Sequence, residues 1–295
     1  MNRNKKNQLG FIGLGIMGKP MVINLLKAKI DVYFFSRKIT VIREIEKLGG
    51  VFVPKISDIP EYADILITNL PNTRDVEKVV IGKNGLSSKM KKNSIVIDMS
   101  TISPERSIYI NDILKRKKSF FLDAPVSGGE DGAISGKLSI MVGGDKKAFN
   151  HIKNILSIIG EKITYIGKSG SGQVCKACNQ ILVAQTIKSI SEIFTLAHKA
   201  SIDPAIIRTA LLAGYAKSKI LEIHGKRMIH SEYKPGFKLS LHNKDLKIAR
   251  TLTKNLGLSF RSLNMTQRLM DLAEKNGLSE LDSSAIHSIL EKTYK

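Results

Sequence analysis

The sequence predicts an α/β domain followed by an all-α domain, with a long helix linking the two. Three observations predict it. Short apolar runs alternate with helical patterns as far as residue 166, which argues for a parallel sheet covered by helices on both faces. A glycine cluster joins the first apolar run to the first helical pattern. Beyond Gly167 the apolar residues recur only at helical steps. The domains are therefore placed at 1–166 and 167–295.

The elements follow in order. Met1–Asn7, with Arg3, Lys5 and Lys6, is expected to be a solvated tail. The apolar stretch after it is broken by Gly10, Gly13, Gly15 and Gly18 and lacks a small-residue cleavage site, so it is no secretory leader. Leu9–Ile12 is the first strand. Met17–Lys27 is a helix with Met21, Val22, Leu25 and Leu26 on one face. Asp31–Phe35 is a strand of β-branched and aromatic type. Ile65–Asn69, Ile95–Asp98, Phe120–Asp123, Ser139–Val142 and Ile163–Ile166 are further strands. From near Ser171, Val183, Ile187, Ile190, Phe194 and Ala197 repeat at steps of four and three, which marks a long, largely buried helix. Asp203 is placed as an N-cap, Pro204 at the first helical position and Gly214 as the stop. Helical stretches continue to Tyr294.

Composition narrows the function. Of 295 residues, 42% are hydrophobic and 25% charged, which is globular usage and excludes a disordered or fibrous chain. Lys and Arg number 47 against 26 Asp and Glu, a net charge of +21. The basic residues are spread along the chain, and the clusters Lys89–Lys92 and Lys115–Lys118 are short. With 6% aromatic residues and no Trp, there is no basic, aromatic-interleaved motif for stacking bases, and no specific nucleic acid is expected. A basic surface instead attracts small anions over long range. Two cysteines make no disulfide scaffold, and a cytoplasmic setting is expected. No apolar run approaches the roughly 18–20 residues of a membrane helix. The six histidines show no ligand spacing, so no metal is expected.

Gly13-Leu14-Gly15-Ile16-Met17-Gly18 fits G-x-G-x-x-G between a strand and a helix. The first glycine permits the tight turn, the second lets the backbone approach a pyrophosphate, and the third packs helix on strand. The following helix N-terminus offers free N–H groups to phosphates. This is the fingerprint of a Rossmann-type NAD(P)-binding domain, with Ile16 and Met17 inside the cradle. An acid after the second strand would bind the ribose hydroxyls of NAD. Here Ser36-Arg37-Lys38 follows, and Asp31 lies at the strand's start. Arg37 and Lys38 suit a 2′-phosphate and Ser36 can donate to it, so NADP is favoured over NAD. The alternative is that Arg37 stacks on adenine and both cofactors serve.

Four ordered blocks then carry a resemblance: Gly10 to Gly18; Asp123-Ala124-Pro125-Val126-Ser127-Gly128-Gly129; Gly170-Ser171-Gly172-Gln173-Val174-Cys175-Lys176-Ala177-Cys178-Asn179-Gln180; and Lys244-Asp245-Leu246. The chain resembles the β-hydroxyacid dehydrogenases, relatives of 3-hydroxyisobutyrate dehydrogenase and 6-phosphogluconate dehydrogenase, over Gly10 to Lys292. Within the family it is most similar to the tartronate semialdehyde (2-hydroxy-3-oxopropionate) reductases. That likeness rests on Gly172 to Lys176, Asn179-Gln180, Ile220 to Gly225 with Arg227-Met228, Pro235-Gly236-Phe237 and Leu241 to Leu246. 3-Hydroxyisobutyrate dehydrogenase and glyoxylate or succinic semialdehyde reductase are the alternatives inside the class. A non-catalytic cofactor-binding scaffold with a basic, nucleic-acid-binding surface is the alternative outside it.

The resemblance implies a catalytic lysine at Lys176. The spacing supports it independently, because Lys176, Asn179 and Gln180 share one helix face. An ammonium oriented by amides can give a proton to a carbonyl oxygen. The alternative is a lysine at a solvated helix end. Ser127-Gly128-Gly129 makes an anion-binding nest, and the resemblance implies that it holds a substrate carboxylate. The substrate is thus expected to be a small carboxylate-bearing aldehyde or hydroxy acid. Leu70-Pro71-Asn72 and Ser100-Thr101 follow strands, where an open α/β sheet binds ligand. Thr101 is either a contact to the nicotinamide ribose or substrate, or a helix cap. The resemblance implies that Lys244 reaches the cofactor from the helical half, with Asp245 orienting its helix and the site in a cleft between the halves. Cys175 and Cys178 fit C-x-x-C but are expected to be buried packing residues. A homodimer or homotetramer is expected.

Overall fold

The computed structural model describes residues 8–294. The stretch Met1–Asn7, expected to be a tail, lies outside them. The chain forms two compact units, one through Lys176 and the other from Ala177.

Among the described residues, the first unit is built on nine strands. They are β1 (Gln8–Ile12), β2 (Asp31–Phe35), β3 (Val51–Phe52), β4 (Ile65–Thr68), β5 (Ile95–Asp98), β6 (Phe120–Asp123), β7 (Val126–Ser127), β8 (Leu138–Gly143) and β9 (Gly160–Gly167). The sheet order is β3-β2-β1-β4-β5-β6-β8-β7, with β9 paired to β8. From β3 to β6 every pairing is parallel. The helices between these strands are α1 (Gly18–Lys27), α2 (Ile39–Lys47), α3 (Ile59–Tyr62), α4 (Thr73–Ile81) and α5 (Pro104–Arg116).

Alternation along the central strands splits the core. Ile67, Ile95, Ile97 and Leu122 pack with Met21, Val22 and Leu25 of α1. Leu66, Val96 and Phe121 pack on the opposite face with Val76, Val80, Ile110 and Leu114. Buried on both faces, these strands read as continuous apolar runs, which is why the sequence exposes them so clearly.

The far edge departs from the all-parallel expectation. β8 runs antiparallel to both β6 and β7. A parallel return needs a crossover of a dozen or more residues, but here the connection is consumed by β7 and the short helix α6 (Gly129–Ser135). Periodicity shows that a segment is a strand and carries no sign of its direction. The two-residue strands β3 and β7 are too short to leave a periodic trace. Helix α7 (Lys146–Ile159) leads into β9.

A single helix, α8 (Ser171–Lys199), follows. Ile187, Ile190, Phe194 and Ala197 are buried as the periodicity requires, and Ala184 takes the fully buried place beside a half-buried Val183. The second unit continues with α9 (Pro204–Leu212), α10 (Lys219–Ile229), α11 (Leu239–Asn255), α12 (Arg261–Lys275) and α13 (Ile286–Tyr294). Asp203 caps α9 by accepting from the Ala205 N–H at 2.8 Å. The helix stops at Leu212, just ahead of Gly214. Ala184, Ile187, Phe194, Leu221, Leu246, Leu263, Met270 and Ile286 form its core. Among the described residues, no helix is long and apolar enough to cross a membrane.

Candidate active site

The glycine loop sits between β1 and α1. Gly13 has φ +103°, and a Cβ there would lie 2.2 Å from the Asn69 carbonyl oxygen. A Cβ on Gly18 would lie 2.0 Å from the Gly13 carbonyl oxygen, so both positions are closed to any side chain. Around Gly15, in contrast, a Cβ would meet nothing within 4 Å, and Gly15 and Ile16 are exposed while Met17 is half-buried. The first turn of α1 carries no acid. Two closed glycines and one open one fit a dinucleotide whose pyrophosphate approaches at Gly15 and the α1 N-terminus.

Ser36, half-buried, and Arg37 and Lys38, both exposed, follow β2. The Ser36 hydroxyl accepts from the Lys38 N–H at 3.2 Å, a local turn that turns the two basic side chains outward from one bend. Asn72 caps α4, accepting from the Asp75 N–H at 2.9 Å and donating to the Asp75 carboxylate at 2.8 Å. Leu70 is half-buried and Pro71 exposed.

The ends of β4, β5 and β6 are organised by two buried acids that face each other across the β5–β6 register, Asp98 and Asp123. Asp98 Oδ1 accepts from the Thr68 hydroxyl at 2.8 Å, the Ser100 hydroxyl at 2.5 Å and the Ser100 N–H at 3.3 Å. The Ser100 hydroxyl accepts in turn from the Leu70 N–H at 2.8 Å. Burial pushes Asp98 up to about 7 against these hydrogen bonds, with Asp123 adding like-charge repulsion. Asp123 receives the Gly170 N–H at 2.8 Å and the Gln173 N–H at 3.0 Å, so it closes the N-terminus of α8. Burial raises it to about 6, with those N–H groups pulling the other way. A Cβ on Gly143 or Gly172 would come within 2.9 Å of its carboxylate.

Gln173 continues this anchoring. It is buried, donates from Nε2 to the Ser100 carbonyl at 2.8 Å, and accepts from the Ile102 N–H at 3.1 Å. Thr101 lies between those two residues, half-buried. The cap of α5 is Ser103, which accepts from the Arg106 N–H, so the alternative of Thr101 as a cap falls. Ser127 ends β7 half-buried, and Gly128 and Gly129 lie exposed with φ +135° and +64°. Both φ values lie where a residue with a Cβ is strained, so the turn after β7 depends on its two glycines.

Lys176 lies on the second turn of α8 and is only 7% exposed. The alternative of a lysine at a solvated helix end falls with that value. One turn further on, the Asn179 amide donates to Gln180 Oε1 at 2.8 Å. Gln180 donates to Asp245 Oδ2 at 2.7 Å, and Lys244 pairs with Asp245 Oδ1 at 3.0 Å. His242 Nε2 lies 3.3 Å from the Gln180 carbonyl. In the second unit, then, buried Asp245 joins the Asn179–Gln180 pair to Lys244. Its signal in the sequence was its place beside Lys244, and only the packing of α8 and α11 shows which amide it serves. The cysteine expectation is corrected: Cys175 is half-buried and Cys178 exposed, because their helix positions fall beside the packed stripe. Among the described residues no group of three or more His, Cys, Asp or Glu side chains is placed to hold a metal.

The blocks Ile220–Gly225, Arg227-Met228 and Pro235-Gly236-Phe237 converge elsewhere. His224, Arg227 and the N–H groups of Gly236 and Phe237 all bind the carboxylate of Asp282, with Arg227 at 2.5 Å. They form a structural staple of the helical unit.

Comparison with known proteins agrees with this architecture. Residues 8–167 match the family model described as the NAD binding domain of 6-phosphogluconate dehydrogenase. Residues 170–290 match that described as the NAD-binding of NADP-dependent 3-hydroxyisobutyrate dehydrogenase. The 2-hydroxy-3-oxopropionate reductase of Escherichia coli (strain K12) is 43% identical over 284 residues, covering 96% of this chain and 97% of that one. The 2-(hydroxymethyl)glutarate dehydrogenase of Eubacterium barkeri is 32% identical over 289 residues, covering 98% and 96%. The solved 3-hydroxyisobutyrate dehydrogenase of Mycobacterium tuberculosis, with L-serine, superposes with a TM-score of 0.88 at 27% identity, covering 96% and 99%. The chain belongs to the β-hydroxyacid dehydrogenases and is an NAD(P)-dependent oxidoreductase.

Proposed function

We propose that the protein reduces a small aldehyde acid, with tartronate semialdehyde converted to D-glycerate as the first substrate to test. The observation that carries the reading is a lysine buried on the second turn of α8, three and four residues before an amide pair. The 43% identity to a 2-hydroxy-3-oxopropionate reductase supports the choice of substrate.

Gly13, Gly15, Ile16, Met17 and Gly18 would hold the pyrophosphate of NAD(P), Ser36, Arg37 and Lys38 the adenosine end, and Leu70, Pro71, Asn72, Thr101 and Lys244 the remainder. When bound, the reduced nicotinamide supplies hydride to the aldehyde carbon. Lys176 gives its ammonium proton to the carbonyl oxygen as negative charge develops there, so a CH–OH group results. In the reverse direction neutral Lys176 takes the hydroxyl proton. Asn179 and Gln180 hold the aldehyde oxygen side of the site in order. Ser127, Gly128 and Gly129 bind the substrate carboxylate through N–H groups and a hydroxyl. Paired basic side chains after β2 favour NADPH over NADH. A cytoplasmic enzyme fits a chain whose two cysteines form no disulfide. A homodimer or homotetramer fits the exposed Leu182, Leu196 and Ile206, and sedimentation would reveal a monomer.

The test is an NADPH- and NADH-oxidation panel with tartronate semialdehyde, methylmalonate semialdehyde, glyoxylate and succinic semialdehyde. Lys176→Ala is expected to lower kcat by about 10²–10⁴-fold with NADPH affinity nearly intact. Turnover like the unaltered enzyme's removes the assignment. Equal kcat/KM for NADH and NADPH removes the cofactor preference. A second reading, 3-hydroxyisobutyrate dehydrogenase, is favoured by the family model matching residues 170–290, and preference for methylmalonate semialdehyde would select it.

A further inference from the structure

The Gln173 side chain is 1% exposed and spends both ends of its amide on one loop. Nε2 donates to the Ser100 carbonyl at 2.8 Å and Oε1 accepts from the Ile102 N–H at 3.1 Å. These groups belong to the two peptide planes that flank Thr101. A peptide unit is rigid, so fixing both planes fixes φ and ψ of the residue between them. The direction of the Thr101 Cβ follows, and a β-branched side chain has few rotamers left to choose from.

The anchor is itself anchored. The Gln173 N–H is held by Asp123 at 3.0 Å, and Ser100 is held by Asp98 at 2.5 Å. Gln173 also lies three residues before Lys176 on α8, so the two share a helix face. One turn of helix thus carries both the proposed proton donor and the clamp on the proposed ligand contact.

We propose that Gln173 is a positioning residue: its amide sets the backbone of Thr101 and so aims the threonine hydroxyl at the ligand that Lys176 protonates. This rests on the reading of Lys176 and Thr101 given above. A glutamine that only stabilised the loop would lower stability on removal without energetic coupling to the Thr101 hydroxyl.

The experiment is a kinetic double-mutant cycle in the full chain, with NADPH and tartronate semialdehyde or whichever panel aldehyde is turned over best. Gln173→Ala and Thr101→Ala are each expected to lower kcat/KM by about 10–100-fold, the cost of ångström-scale misplacement. The double variant is expected to be no worse than the poorer single one. Losses that multiply, or a Gln173→Ala value within about twofold of the unaltered enzyme, overturn the proposal. If Gln173→Ala fails to fold, Gln173→Glu decides. Its protonated carboxyl can both donate to Ser100 and accept from Ile102, so activity should hold at low pH and fall as the new group ionises. That limb should vanish in a Thr101→Ala background, and its absence from Gln173→Glu itself overturns the proposal. Lys176→Ala is run beside the cycle. Full activity there removes the site reading, while a loss there with an additive cycle removes only the role of Gln173. An unaltered enzyme inactive on all four aldehydes overturns both.

Discussion

Single buried carboxylates set much of this molecule's behaviour, with opposite signs. Asp282 is fully buried, and burial alone would raise it. The His224 and Ser284 hydrogen bonds overcome that and hold it well below the usual carboxylate range. Its contribution is therefore present above the unfolded value of 3.8 and lost as pH falls through the lowered folded value. Asp282→Asn leaves Arg227 without its partner and is expected to cost about 2–4 kcal/mol, read by urea denaturation. Asp98 behaves in reverse. Burial lifts it from 3.8 to about 7, so the folded chain keeps a proton that the unfolded chain releases. Its contribution is full below about pH 4 and declines as pH rises toward 7. Asp98→Asn retains an acceptor for Ser100 and Thr68 while removing the titration. Its melting temperature should therefore vary less between pH 4 and 7 than that of the unaltered chain, and equal slopes would refute the assignment.

At the scale of elements, the loop–helix joint at β1 and α1 separates folding from binding. Gly13→Ala would force a Cβ to 2.2 Å from a carbonyl oxygen at φ +103°. It should destabilise the first unit by several kcal/mol, as strain and overlap combine. Gly15→Ala meets nothing within 4 Å. It should melt like the unaltered chain and yet bind NADPH at least tenfold more weakly, because the methyl occupies the line of pyrophosphate approach. Calorimetry and fluorescence titration read the two effects apart. Helix α8 shows the complementary case. Its first turn is fixed by Asp123 and Gln173, so the orientation of Lys176 is inherited from strand ends distant in sequence. Hydrophobic spacing located this helix and its buried stripe, and it was silent on the carboxylate that closes its N-terminus.

For the molecule as a whole, a charge of +21 predicts steering of an anionic cofactor and an anionic substrate. kcat/KM should fall with ionic strength, and heparin retention should disappear at modest salt while aldehyde reduction persists. Strong heparin binding at high salt would instead favour the scaffold alternative. Local sequence determined the longer strands of the parallel half, the glycine cradle, the long helix and the spacing of Lys176 with Asn179 and Gln180 on it. Each of these depends on residues close in the chain, where period, turn chemistry and helix spacing act. The tertiary structure decided the antiparallel return of β8, the exposure of Cys178, the capping by Asp123, the link from Gln180 through Asp245 to Lys244, and the convergence of three motif blocks on Asp282. These depend on which distant groups meet, and a buried polar group chooses its partner only once packing has removed water as the alternative.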